Sequence, residues 1–129
     1  MKELLLDMDE IKFEIETDII IGTVKLTLMD LALAKKITKH RLVLQEGKRY
    51  PILSNIRNVK DSTRDAREFL ASEEGCEGVI KAAILIKSPV SKIIANFFIN
   101  TSRPIVPTKI FTDERKAKKW LLIGAGYKF

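Results

Sequence analysis

With 129 residues, 46% hydrophobic and 31% charged, the chain has the composition of one soluble globular domain, long enough to bury about two-thirds of its unfolded surface. No apolar run approaches the ~20 residues that cross a bilayer, and the opening MKELLLDMDE meets acids after three leucines, so neither a transmembrane segment nor a signal peptide is expected. A lone cysteine, Cys76, excludes an internal disulfide and fits a reducing, cytoplasmic setting.

The net charge of +6 is local. Between Asp30 and Arg67 stand ten Lys/Arg and four Asp/Glu, and the rest of the chain balances at thirteen of each. A basic excess of this kind attracts anionic partners. The aromatics fall in apolar stripes rather than among the cations, so nucleic acid is not the expected partner.

Ile11-Lys12-Phe13-Glu14-Ile15-Glu16 alternates strictly, predicting a half-buried strand with Ile11, Phe13 and Ile15 inward. Thr17-Asp18 connects it to Ile19–Val24, a second strand, as an antiparallel hairpin towards one edge of a sheet. Thr27 stands three residues before Asp30 at capping-box spacing, and the helix it opens is expected to run to about Leu44. Leu31, Ala34, Ile37 and Arg41 or Leu42 line its inner side; Lys35, Lys36, Lys39 and the only histidine, His40, face water. Gly47 closes the helix or its loop.

Tyr50–Ile56 reads as a strand with Pro51 confined to its start. Ser62, with Asp65 three residues on, is placed to cap a helix through about Ser72 whose apolar face is Ala66, Phe69 and Leu70. Val79–Ile86 is almost continuously apolar and β-branched, as in a strand covered on both faces. It leads through Ser88-Pro89 into a helix whose stripe is Val90, Ile93, Ile94, Phe97 and Phe98. After a loop marked by Pro104 and Pro107, Lys109-Ile110-Phe111 is a short strand. Thr112 then caps a last helix with Asp113 and Glu114 in its first turn, lysines later, and Ala117, Trp120 and Leu121 inward, ending at Gly124. The expected order is ββαβαβαβα in a single domain spanning 1–129, an α/β fold with a mainly parallel sheet and right-handed crossovers.

Several blocks of these residues resemble the SpoIIAA-like fold of the STAS superfamily, in particular a group of small bacterial proteins of uncharacterised function. They are Thr27-Leu28, Tyr50-Pro51-Ile52-Leu53, Ala66-Arg67, the run from Ser88 to Phe98, and Pro107–Asp113 leading to Ala117 and Trp120-Leu121. The last two blocks are the most specific, and the likeness runs over nearly the whole chain. It implies a non-enzymatic regulatory or protein-interaction module, switched in several members by phosphorylation of a Ser or Thr after the third strand. Asp61-Ser62-Thr63 matches the first three positions of the Asp-Ser-Ser/Thr-Gly switch motif, which makes Ser62 and Thr63 the candidate phospho-acceptors. Arg64 replaces the motif's glycine, and Asn55 stands where third strands commonly carry Asp. The alternative that the likeness implies is a carrier of a small apolar or anionic ligand, similar to the CRAL-TRIO lipid carriers, with the Phe97-Phe98 helix over the ligand.

No residues spell out catalysis, a cofactor or a metal site: there is no GxxxxGK[ST] or GxGxxG, and the one Cys and one His share no motif. Asn100-Thr101-Ser102 matches a glycosylation sequon by coincidence. One ligand site follows from architecture, because open α/β sheets bind at the carboxyl ends of their strands. There the expected helix N-termini at Ser62, Ser88 and Thr112 would gather with Lys60, Arg64, Lys87 and Lys92 as an anion site. A protein partner is expected. A homodimer through a sheet edge or helix face stays open, with no residue marking its surface.

Overall fold

The computed structural model describes residues 1–88 and 103–123. A six-stranded sheet runs β1 (Glu3–Asp7), β2 (Ile11–Glu16), β3 (Ile19–Val24), β5 (Tyr50–Asn55), β7 (Val79–Leu85), β8 (Thr108–Phe111), in that spatial order. β1, β2 and β3 pair antiparallel; β3, β5, β7 and β8 pair parallel. A separate two-stranded parallel ladder joins β4 (Leu28–Met29) to β6 (Asp61–Ser62). Among the described residues the helices are α1 (Leu31–Gln45), α2 (Arg64–Ala71) and α3 (Glu114–Leu122). The α/β class, the mainly parallel sheet and the N-terminal antiparallel hairpin are as the periodicities predict.

The alternation in β2 aims Ile11 and Phe13 at a core shared with Ile20, Ile52, Leu33, Ala34 and Ala66. On the opposite face Ile19, Ile21, Leu53, Ala83 and Leu85 pack against Ala117 and Leu121 of α3. Consecutive isoleucines in β3 thus serve different cores. Each fully buried aliphatic or Phe side chain contributes roughly 1.5–3 kcal/mol. β7 lies inside the sheet between β5 and β8, with Val79, Ala83 and Leu85 buried and Ile80, Ala82 and Ile84 half-buried. The helix expected over it, with Val90 through Phe98, falls outside the described residues, as do the sequon and Gly124.

Several local expectations are corrected. β1 was not anticipated: Leu4-Leu5-Leu6 forms an edge strand whose register on β2 is interrupted between Leu4 and Leu6. Thr27 does not cap α1, because Leu28–Met29 is drawn into the ladder with Asp61–Ser62, and Asp30 Oδ1 accepts from the Leu33 amide at 2.9 Å instead. For the same reason Ser62 belongs to β6 and Thr63 caps α2. Asp113, not Thr112, caps α3, accepting from Lys116 N at 3.1 Å. At the hairpin, Thr17 and Asp18 both take positive φ (49° and 62°). This is the turn whose twist matches the strands and which Asn-Gly adopts with less strain. Lys36 and His40 are half-buried rather than open to water.

Lys81 interrupts the apolar run of β7 yet is only 5% exposed. Its Nζ donates to the carbonyl of Ile123, the C-cap of α3, at 2.7 Å and lies 4.1 Å from the centre of the Trp120 ring. The ammonium thus serves a helix C-terminus, where a cation is favoured. Burial pushes its pKa down.

Where α3 meets the N-terminal strands, Lys118 Nζ bridges Glu16 at 2.5 Å and Glu114 at 2.7 Å, and Lys2 adds a second cation to Glu114 at 3.1 Å. The hydrogen bond from Lys118 holds both carboxyls below the ordinary glutamate value of 4.5. Burial works against the Lys118 charge, but its bonds to Glu114 and Glu16 outweigh it, and its pKa rises. Carboxyls with depressed folded pKa values stabilise the fold above the unfolded value and lose that contribution as pH falls through the folded one. Lys118→Met is therefore expected to cost about 1 kcal/mol at pH 7 and nothing once both glutamates are protonated. Urea melts of both proteins across the acid range check this; a difference that persists undiminished at the acid end would refute it.

Candidate functional site: the carboxyl edge around Ser62

The parallel strands deliver three loops to one edge: Lys60, Ser62 and Arg64 follow β5, Lys87 and Ser88 follow β7, and Thr112 follows β8. The β4–β6 ladder ties this edge together, since Lys60 N and Asp61 N both donate to Thr27 O, and Thr63 N donates to Met29 O.

Ser62 is half-buried here and its polar atoms are held. Its amide donates to Asp61 Oδ1 at 2.8 Å. Arg67, in the second turn of α2, donates through Nη1 to the Ser62 carbonyl at 2.7 Å and to Ser62 Oγ at 3.0 Å. Thr63 is engaged differently: its Oγ1 accepts from Ala66 N at 3.3 Å and donates to Asp65 Oδ1 at 2.5 Å, and that carboxylate also takes Ala66 N at 2.9 Å. The first-turn amides of α2 and α3 thus face their own carboxylates, Asp65 and Asp113. An external anion at either helix would meet an acid first. Arg64 is tied to Glu68 at 2.9 Å, while Lys60, Lys87 and Thr112 are exposed and Ser88 half-buried. Lys92 lies outside the described residues, as do the phenylalanines of the carrier reading.

Asn55, at the end of β5, accepts from Arg57 N and Nε at 3.2 and 3.0 Å, and Arg57 reaches Glu114 at 3.5 Å. That side chain orders the turn after β5. Arg67 was missed as a site residue. Its spacing from Ser62, five residues on and across a helix start, was the available signal.

At the opposite edge a depression of ≈ 290 Å³ lies beside Leu42, Lys48, Arg49 and Glu77. Its floor is Gln45, whose amide donates to Lys48 O and Gly78 O and accepts from buried Arg41. The polar atoms of that floor serve the fold. Among the described residues no three His, Cys, Asp or Glu side chains gather as a metal site, and no helix is long and apolar enough to cross a membrane.

A family model, a domain of unknown function (DUF7793), matches residues 13–123. The chain belongs to the DUF7793 family. Among solved structures, this DUF7793 protein is similar to an uncharacterised DUF3478-family protein with a SpoIIAA-like fold from Shewanella loihica PV-4. The TM-score is 0.60 at 15% identity, over 94% of this chain and 95% of that one. A protein of unknown function from Arthrobacter sp. FB24 is 25% identical over 93% of this chain and 98% of its own, with a TM-score of 0.35. No curated protein matches. The fold is SpoIIAA-like, as the sequence blocks implied.

Proposed function

We propose that this DUF7793 protein is a non-catalytic regulatory module that binds a protein partner through the carboxyl edge of its sheet, with phosphorylation of Ser62 as the switch. The observation that supports the reading is the Arg67 guanidinium seated on Ser62 Oγ. A phosphate adds a charge of about −2 and three strong acceptors. At Ser62 it would meet a guanidinium already within hydrogen-bond distance. At Thr63 it would meet the Asp65 carboxylate and lose the helix cap, so Ser62 is the better acceptor of the two. Asp61 spends one carboxylate oxygen on the Ser62 amide rather than on Arg67.

Phosphopeptide mapping of the protein isolated from its own host is expected to find phosphate on Ser62. Pull-down with the wild-type chain is expected to recover a stoichiometric protein partner, and Ser62→Asp to change that capture about tenfold. An unmodified Ser62 together with unchanged capture would sink the reading.

A further inference from the structure

The basic excess has a specific address. α1 carries Lys35, Lys36, Lys39, His40 and Arg41 and no acidic residue over its 15 positions. Arg41 is buried. Lys36 is bonded to Glu10 at 2.5 Å. Lys35 and Lys39, four apart, are exposed and make no ion pair among the described residues. With Ala32 and Val43, which is 69% exposed, they form one stripe at spacings of three and four along the solvent side.

These lysines do little for the helix itself. Cations stabilise a last turn, and the last turn of α1 has no basic residue. Glutamates four residues before the lysines would support them, and none is present. Glu10, which comes from outside the helix, bonds to Lys36 beside the stripe and not to Lys35 or Lys39.

From this we infer that the solvent face of α1 is a docking surface for an acidic amphipathic helix of a partner protein. Carboxylates one turn apart on that helix pair with Lys35 and Lys39, and apolar side chains on either side of them cover Ala32 and Val43. The stripe runs over twelve residues, from Ala32 to Val43, about 16 Å of helix axis, which suits a helix laid along it. The inference deepens the partner-binding part of the reading above and rests on it, but it does not require phosphorylation of Ser62.

The test uses two synthetic helical peptides, one with glutamates at i and i+4 flanked by leucines, the other with glutamines in their place. The glutamate peptide is expected to bind the full chain with salt-sensitive affinity and the glutamine peptide at least about tenfold more weakly. Lys35→Glu with Lys39→Glu is expected to weaken the glutamate peptide by about tenfold or more. Lys48→Glu with Arg49→Glu reverses the same charge beyond the helix end and is expected to leave it nearly unchanged. Thermal melts confirm that both double variants fold. Equal weakening by the two pairs would assign binding to net charge and overturn the inference, as would tighter binding of phosphatidylglycerol vesicles or duplex DNA than of the glutamate peptide. Those outcomes leave the Ser62 switch standing, since phosphopeptide mapping judges it separately.

Discussion

Arg41→Met is expected to cost the fold about 3–5 kcal/mol, because it strips the donor from three oxygens at once. Arg41 is 5% exposed, with Nη1 on Gln45 Oε1 at 2.5 Å and on Glu77 O at 2.8 Å, and Nη2 on Gly75 O at 3.1 Å. Burial weighs against its charge and lowers its pKa, and the arginine persists because three oxygens converge on it. Methionine refills the volume of the stem but leaves those acceptors without a donor, at about 1–3 kcal/mol for each that stays dry. Urea denaturation measures the loss. The double variant Arg41→Met/Gln45→Leu should lose less than the sum of the single changes, because Gln45 has already lost its partner. A single-variant loss under about 1 kcal/mol would show that water reaches the site, a lower cost than burial implies.

Gly75→Ala is expected to be of similar size, about 3 kcal/mol or more. A Cβ at Gly75 would stand 2.1 Å from the Phe69 carbonyl oxygen and 2.9 Å from the Leu70 Cα. Both are backbone atoms of α2, so no rotamer change relieves the clash. The turn from Ser72 to Gly78 would have to move, and with it the carbonyls of Gly75 and Glu77 that hold Arg41. Gly47→Ala is the control: its Cβ meets nothing within 4 Å, and only the positive φ of 79° opposes it, a cost nearer 1 kcal/mol. If the two alanine variants melt together, the close approach at Gly75 is not what the site requires.

Ser62 shows how far local rules carry. Its position before Asp65 satisfied a capping pattern, as did Thr27 before Asp30. Both patterns failed together, for one reason. The segments holding them pair with each other across 33 residues of chain, Leu28 with Asp61 and Met29 with Ser62. The caps therefore moved to Asp30 and Thr63. A two-residue parallel ladder leaves no periodicity to detect, and its energy comes from a partner that neither segment can specify alone. Lys81 and Arg41 are similar cases. The sequence presents Lys81 as a charge inside an apolar run and Arg41 as a charge on the inner side of α1, and only the carbonyl groups of Ile123, Gly75 and Glu77, brought from elsewhere, make burial tolerable.

By itself, then, the order of residues determined the alternation of strands and helices, the inward faces of β2, α2 and α3, the antiparallel hairpin, and through them the SpoIIAA-like class. Those features depend on apolar spacing repeated over many residues, which the chain carries locally. Tertiary structure decided where the helices begin, that β1 closes the sheet's edge, that Arg67 rests on Ser62, and that Lys35 and Lys39 are left open to solvent. Each of these depends on a single contact, or on its absence, between groups far apart in the chain. Only folding sets the free energy of such a contact.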